Sequence, residues 1–484
     1  MRETTPSQSG GSHLRRRSGV AGSSLSSAGV KRSHRIAEIS ASQAGLEVRL
    51  AGRIVDLQAG AGGSIVAGKI GDGSGELSFR CSFWEKLGYE RGDIVALGGE
   101  IVSTGAEIQL EVKEGVLLTK CLLDLPSRAG WTALPHDETF QQRELDLVLG
   151  TELGQRLKMR PLALRAIRHF LEGRGFLEVD TPHLVPWPDI APVPHLRVEA
   201  GRHCRPGDLR IANTEFMRRL LVGGFERIYQ IGRCFRDETQ SYKHSVEFTQ
   251  LTFGMAYSNY LDLMDLIEEM VIRTAADLGV RDRLTFRGED VGLQPPWKRI
   301  TVKDAVISAV GIDLDDCHDA DQLRAEIESR QLTLPDLQGS DGILGQSKML
   351  DQILDTYVVP NFAGPTFLYE YPFYLGGPAR EVDERPRYKM RCELFIAGME
   401  IANMSTPQND PARVRSWYEE VRRLKSGSPE SAPPLDEPYL TSMDLGIPIS
   451  ATGGVGFDRL LMLLLGIDDI NNVFFFPSGT QYQR

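Results

Sequence analysis

The chain has 484 residues, more than one hydrophobic core normally organises, which predicts two domains with tails. Its 41% hydrophobic and 25% charged content is globular and excludes a fibrous or wholly disordered chain. A net charge of −11 removes any bulk-charge argument for nucleic acid, although binding depends on where positive charge sits rather than on its sum.

The apolar run Leu460 to Ile467 is far short of the roughly 20 residues needed to cross a bilayer. The N-terminal arginines have no apolar stretch behind them, so no secretory signal and no membrane are expected, and the predicted address is cytoplasmic. Cysteines at 81, 121, 204, 234, 317 and 392 lack C-x-x-C spacing, which argues against a zinc knuckle, a redox pair or a disulfide scaffold.

In chain order, residues 1–35 are rich in Ser, Gly and Arg, including Arg15, Arg16 and Arg17, and read as a disordered basic arm. It is either a solvated tail or a salt-sensitive RNA contact. Residues 36–125 carry five β-rich runs, Leu46–Ile54, Ser64–Ile70, Glu76–Phe83, Asp93–Val102 and Glu107–Val112. Turn signals at 71–75 and 103–105 predict hairpins, and the set predicts a small closed barrel, with an oligonucleotide-binding fold as one option.

A linker is expected at 126–150. From 151 to 484 helical stretches (Gly154–Gly173, Asn259–Leu278) alternate with strand-like runs (Arg227–Ile231, Phe248–Phe253, Thr366–Tyr371, Arg391–Ile401), which predicts a mixed α+β domain. Residues 281–345 are acidic and helical in tone and read as an insertion.

Three segments of the second domain carry chemistry. Phe170 to Pro182 is a helix end, a glycine break and a strand stopped by proline, which alone is packing. Phe225 to Leu251 reads strand, loop, strand, with Arg236, Glu238, Lys243 and His244 on the loop. Arginine's planar fork holds phosphate bidentately, so this loop is a candidate nucleotide clamp; standing alone it reads rather as a surface ion-pair network. Gly453-Gly454-Val-Gly456-Phe-Asp-Arg459 is a glycine-rich strand entering an apolar helix, where a ligand can approach backbone and Arg459 adds a second phosphate charge. Glu393 and Glu400 beside those arginines suit Mg²⁺, which uses one or two carboxylates plus phosphate oxygens.

The order of these segments, with Phe-Arg236-x-Glu, Glu247-Phe-Thr, Pro365-Thr-Phe-x-x-Glu-Tyr-Pro372, Glu393-Leu-Phe-Ile-x-Gly-x-Glu400-Ile-Ala-Asn403 and Gly456-x-Asp-Arg459, resembles the class II lysyl-tRNA synthetases over about nine-tenths of the chain. The resemblance implies an N-terminal oligonucleotide-binding barrel. It also implies a catalytic domain with a six- or seven-stranded antiparallel sheet flanked by helices, in a homodimer paired through the first segment. It implies ATP and Mg²⁺ as cofactors. Arg236 would hold the α-phosphate, Arg459 the terminal phosphate and His244 the outer phosphates. Phe248 would stack on adenine, Glu238 would contact its edge, Gly454 and Gly456 would line the nucleotide, and Glu393 with Glu400 would hold the metal.

Against the same family the substrate positions differ. Thr252 and Gly254 stand where a Glu and a Tyr grip lysine's ammonium, Ser405 and Pro407 stand at a Phe and a Glu after Asn403, and Thr214 replaces the acid for the α-amine, with Glu215 one place on. An ammonium buried without a carboxylate costs several kcal/mol. Replacing a Tyr by Gly254 predicts a wider pocket. In the barrel, Ala67 and Ser78 stand near the anticodon-reading Phe and Gln; a lost stacking ring forfeits about 1–3 kcal/mol per base.

The reading is ATP-dependent activation of an amino acid or related carboxylate as its adenylate, with a non-lysine substrate and transfer to a tRNA, a protein or a small-molecule amine or thiol. Its alternatives are a genuine lysine–tRNA ligase and a non-catalytic RNA-binding or regulatory paralogue.

Overall fold

The computed structural model describes residues 31–59, 66–105, 107–127, 143–149, 152–186, 193–202, 205–280, 282–335, 342–426 and 435–478. The basic arm before residue 31, most of the expected linker and the ends of the expected insertion at 281 and 336–341 lie outside these. The chain divides into two compact units.

In the first unit, β1 (Glu47–Ala59), β2 (Val66–Gly71), β3 (Glu76–Cys81), α1 (Trp84–Leu87), β4 (Ile94–Thr104) and β5 (Glu107–Thr119) follow in order. The strands close as β1-β2-β3-β5-β4, the five-stranded barrel that their number and turn spacing predict. Alternation fills it: Leu77, Phe79 and Cys81 are buried while their neighbours face outward. The β2–β3 turn is held by Asp72, whose Oδ1 accepts from the Ser74 and Gly75 amides at 2.7 and 3.2 Å. Ala67 lies opposite Arg80, and Ser78 opposite Lys69.

In the second unit the order is α2 (Glu152–Glu172), β6 (Leu177–Glu178), β7 (Leu184–Val185), β8 (Arg197–Val198), β9 (Gly207–Leu209), α3 (Thr214–Val222), β10 (Arg227–Phe235) and β11 (Glu247–Ala256). Then come α4 (Tyr260–Asp277), β12 (Arg283–Phe286), β13 (Glu289–Gly292), β14 (Lys298–Thr301), α5 (Val302–Val310), α6 (Ala320–Ser329) and α7 (Gly342–Ile353). The last part holds β15 (Thr366–Pro372), β16 (Glu381–Val382), β17 (Arg385–Ile396), β18 (Met399–Ser405), α8 (Pro411–Ser426), α9 (Glu437–Asp444), β19 (Ser450–Gly456) and α10 (Phe457–Leu465).

One sheet carries this unit, in the order β14-β15-β17-β18-β19-β11-β10-β6. Its six central strands, β15 to β10, pair antiparallel, and a parallel strand is added at each end. The α+β class is the one expected; the parallel edges are not. Helix α4 starts where Asn259 accepts from the Leu261 amide and Asp262 returns to the Asn259 amide, and it buries Leu263, Met264, Ile267, Met270 and Val271 on one face.

Two elements differ from the sequence reading. Arg391–Ile401 is not one strand but a hairpin, because Ala397 and Gly398 take positive φ values of 50° and 69° and turn β17 into β18. The region from 281 is not purely helical: it opens with the β12–β13 hairpin and supplies β14 to the main sheet before its helices pack Val302, Val306, Leu323, Met349 and Leu350 into a core of their own.

A buried ion pair joins sheet and helices. Arg160 on α2 donates to Asp458 Oδ1 at 2.6 Å, to Thr249 Oγ1 at 2.7 Å and to the Val473 carbonyl at 3.2 Å. Asp458 Oδ2 accepts from the Thr249 amide at 2.5 Å. Replacing one partner of such a pair strands the other charge out of water, at about 3–5 kcal/mol. Asp458→Asn is therefore expected to lower the unfolding free energy of the second unit, read from denaturant titration, by that order. Breaking the exposed α8 pair with Glu420→Gln should leave it nearly unchanged. Equal, small shifts in both variants would show that the buried pair is not a structural keystone.

Candidate active site

Strands β11, β18 and β19 lie side by side, and above their faces opens a cavity of about 380 Å³. Glycine makes the approach close. A Cβ on Gly453 would sit 2.7 Å from Met404 Cβ and 3.0 Å from the Asn403 carbonyl, and one on Gly454 would overlap Gln250 Nε2.

At one end of the cavity stand Arg236, Glu238, His244, Phe248, Glu400 and Arg459, together with Gly454 and Gly456. The Arg236 guanidinium lies 5.2 Å from the Phe248 ring centre, its Nε has no acceptor, and its approach to Glu238 is a loose 3.8 Å. Arg459 donates to the carbonyls of Lys243 at 3.2 Å and Glu400 at 3.0 Å and stands 3.6 Å from the Glu400 carboxylate. His244 Nδ1 is 2.7 Å from Ser241 Oγ. Burial, then the Arg459 and Lys243 charges, hold the His244 imidazole below its ordinary value, so it is neutral above pH 6.5.

Glu393 does not reach the cavity wall. It lies behind it, accepting from Tyr371 Oη at 2.7 Å, from Asn403 Nδ2 at 2.8 Å and from Arg391. Burial pushes its carboxyl up to about 7, with Arg391 opposing and Glu400 adding to the rise. Among the described residues no three His, Cys, Asp or Glu side chains form a metal-holding group. Glu400 at the wall, backed by Glu393, matches a cation that takes few protein ligands and completes its shell with phosphate oxygens, as Mg²⁺ does.

Asn403, which pairs with Gly454, also lines the cavity, as do Thr214, Glu215 and Ser405, whereas Thr252, Gly254 and Pro407 do not. Thr252 is wholly buried and donates to Asn213 Oδ1 at 2.6 Å; Asn213 donates in turn to Gln230 at 2.6 Å, which also accepts from Thr181 at 2.7 Å. Gly254 opens no space: a Cβ there would meet Ile228 at 3.1 Å and Leu221 at 3.5 Å, so the expectation of a pocket widened at this point is corrected. Pro407 is tied to Ala379 in an isolated bridge.

Wall residues not singled out from the sequence include Arg218 on α3, Trp417 and Tyr418 on α8, and Thr452 on β19. The helical spacing of Arg218 from Thr214 was the available signal for the first. The aromatic pair offered only its place on an amphipathic helix, which reads as packing.

The family model described as tRNA synthetases class II (D, K and N) matches residues 135–480. A lysine–tRNA ligase of Moorella thermoacetica is 34% identical over 456 residues, 90% of this chain and 89% of that protein. Lysine–tRNA ligases of Thermosynechococcus vestitus and Dehalococcoides mccartyi are also 34% identical, over 80% and 89% of this chain and 75% and 87% of theirs. No helix among the described residues is long and apolar enough to cross a membrane.

Gly453 and Gly454 of β19 should respond differently to an added methyl. Gly453→Ala meets a Cβ and a backbone oxygen that cannot yield, and should cost about 1–3 kcal/mol of stability. Gly454→Ala meets only the tip of Gln250, which can swing into the cavity, so it should leave the thermal midpoint nearly unchanged while filling ligand space. Thermal unfolding of both variants checks this, and a larger drop for Gly454→Ala would contradict it.

Proposed function

The chain belongs to the class II tRNA synthetases of the D, K and N group and is a ligase of that class, and from this we propose that its cavity converts an amino-acid carboxylate and ATP into an acyl-adenylate and pyrophosphate. What carries the reading is that two arginines and an aromatic ring from two distant segments, Arg236 and Phe248 from one and Arg459 from the other, meet on one cavity wall.

The substrate carboxylate oxygen attacks the α-phosphorus in line; the new acyl-O–P bond forms as the bond to the bridging oxygen breaks, and pyrophosphate carries away the electron pair. Such a reaction needs chiefly positioning and charge stabilisation. In this proposal Phe248 stacks on adenine and Glu238 accepts from its edge. Arg236 grips the α-phosphate, whose developing charge its unpaired Nε can meet. Arg459 and His244 hold the outer phosphates. Glu400 with Glu393 would hold Mg²⁺, which supplies further neutralisation of the phosphates when bound. The adenylate then passes to a nucleophile, for which a tRNA, a protein and a small amine or thiol are all chemically competent.

The substrate we propose is an amino acid other than lysine, supported by the absence of Thr252, Gly254 and Pro407 from the cavity wall and by the neutral bonding of Thr252. The names of the relatives favour a second reading, lysine–tRNA ligation. A non-catalytic paralogue has no physical need for two arginines held open toward one cavity. We also propose a homodimer paired through the segment 170–182, supported by the exposure of Leu177 at 52%. Sedimentation at micromolar concentration should give about twice the 53.7 kDa chain mass, and a monomer that still binds ATP would refute the pairing.

ATP–Mg²⁺ should protect the protein against thermal unfolding, and Arg459→Ala should remove about 1–3 kcal/mol of that protection, the scale of a charged hydrogen bond. Because His244 is held below 6.5 in the free protein and a polyphosphate favours its imidazolium, binding takes up a proton. ATP affinity should therefore rise as pH falls through 6.5 by more in the wild type than in His244→Asn, which cancels the nucleotide's own titration. Unchanged protection in Arg459→Ala would remove that residue from the nucleotide site; parallel pH profiles would remove His244.

A further inference from the structure

The end of the cavity away from Arg236 and Arg459 contains a buried charge that neither the fold nor the proposed adenylation uses. Arg218 on α3 is 7% exposed and lines the cavity. Its Nη1 donates to Tyr439 Oη at 3.2 Å, its Nε finds no acceptor, and no carboxylate among the described residues lies within ion-pair distance. One buried donor of this guanidinium is therefore left for an acceptor that the protein does not supply.

Glu215, three residues earlier on the same helix and so on the same face, also lines the cavity and is near enough to act on Arg218 electrostatically. Its Oε1 accepts from Tyr418 Oη at 2.5 Å. The rings of Trp417 and Tyr418 pack edge to face at 5.0 Å, and Tyr418 lies 5.6 Å from Tyr439; Trp417 and Tyr418 give this end an aromatic side. Opposite in the strand register, Thr452 pairs with both Gly254 and Ser405; it is 1% exposed, and its Oγ1 has no partner.

We propose that Arg218 and Glu215 together read the side-chain terminus of the substrate, and that this terminus is a neutral, planar carboxamide. The inference rests on the adenylation reading and deepens it. An ammonium entering here meets Arg218, and a carboxylate meets Glu215, so either charged terminus brings a like-charge contact. A carboxamide satisfies both, its oxygen accepting from the guanidinium and its NH₂ donating to the carboxylate, with the Thr452 hydroxyl as a further partner. The aromatic side accommodates its plane.

The test uses the full chain with non-hydrolysable sulfamoyl analogues of the asparaginyl, glutaminyl, glutamyl and lysyl adenylates, their affinities measured by calorimetry. The better carboxamide analogue should bind at least about tenfold tighter than the glutamyl and lysyl ones, a difference of about 1.4 kcal/mol. Arg218→Met should erase that preference over lysyl, and Glu215→Gln, which keeps shape and folding risk low, should erase it over glutamyl. Tighter binding of the lysyl or glutamyl analogue overturns the assignment, as does an equal loss across all analogues in Glu215→Gln, which would place that residue on the shared α-amine. Failure of every analogue to bind, with ATP also unbound, overturns the adenylation reading itself; binding of all four alike overturns only the side-chain assignment.

Discussion

Asp458 is the residue on which the geometry of the second unit turns. Its carboxylate is bracketed by the Arg160 guanidinium and the Thr249 amide, and both of its chain neighbourhoods belong to the cavity. Arg459 follows it directly at the start of α10, and Thr249 directly follows Phe248 on β11. One buried pair thus fixes the distance between an arginine and an aromatic ring that are 211 positions apart in sequence (459 − 248). Precision of this kind is easier to hold on strands and helix starts, whose backbone hydrogen bonds are already complete, than on free loops.

The glycines of β19 then set how near anything can come. Gly454 faces Thr252 on one side and Asn403 on the other, so the neighbouring side chains, not its own, define the wall there. Gln250 occupies the volume that a side chain at Gly454 would take, with its Oε1 left without a partner. The unsatisfied atoms Arg236 Nε, Arg218 Nε, Gln250 Oε1 and Thr452 Oγ1 all belong to residues on the wall of a single cavity. On that wall a ligand can supply the partners that buried polar atoms ordinarily find within the protein.

Much of this was legible because local chemistry and global position coincide at the motifs. Phe-Arg236-x-Glu places an arginine just past a strand and Gly456-x-Asp-Arg459 places one in the first turn of the helix that follows a strand, positions that sequence periodicity can locate. The barrel was legible for the same reason, since alternation and turn residues such as Asp72 act within a few positions. What escaped depended on distant neighbours. Gly254 suggested a hole, yet Ile228 and Leu221 fill the space that a missing side chain leaves, because interiors close up around small residues. The Ala397–Gly398 turn interrupts a run of strand-forming residues with a single glycine, too weak a signal to split it. Arg218 and Tyr418 come from two helices 200 positions apart (418 − 218), and nothing in either helix names the other.

Pairing distance separates the arginines that hold the fold from those held ready for a ligand. Arg160 spends its charge on Asp458 at 2.6 Å, with both groups almost fully excluded from water. Arg236 and Arg459 stand 3.8 and 3.6 Å from Glu238 and Glu400, and all four groups keep at least a fifth of their side-chain surface exposed, so those contacts are screened and weak. Arg459 is oriented instead by the Lys243 and Glu400 carbonyls, which fix its direction without neutralising it. The outcome is a rigid wall with positive charge to spare at one end. At the other, Arg218 and Glu215 sum to zero and leave shape and hydrogen bonding to decide what enters.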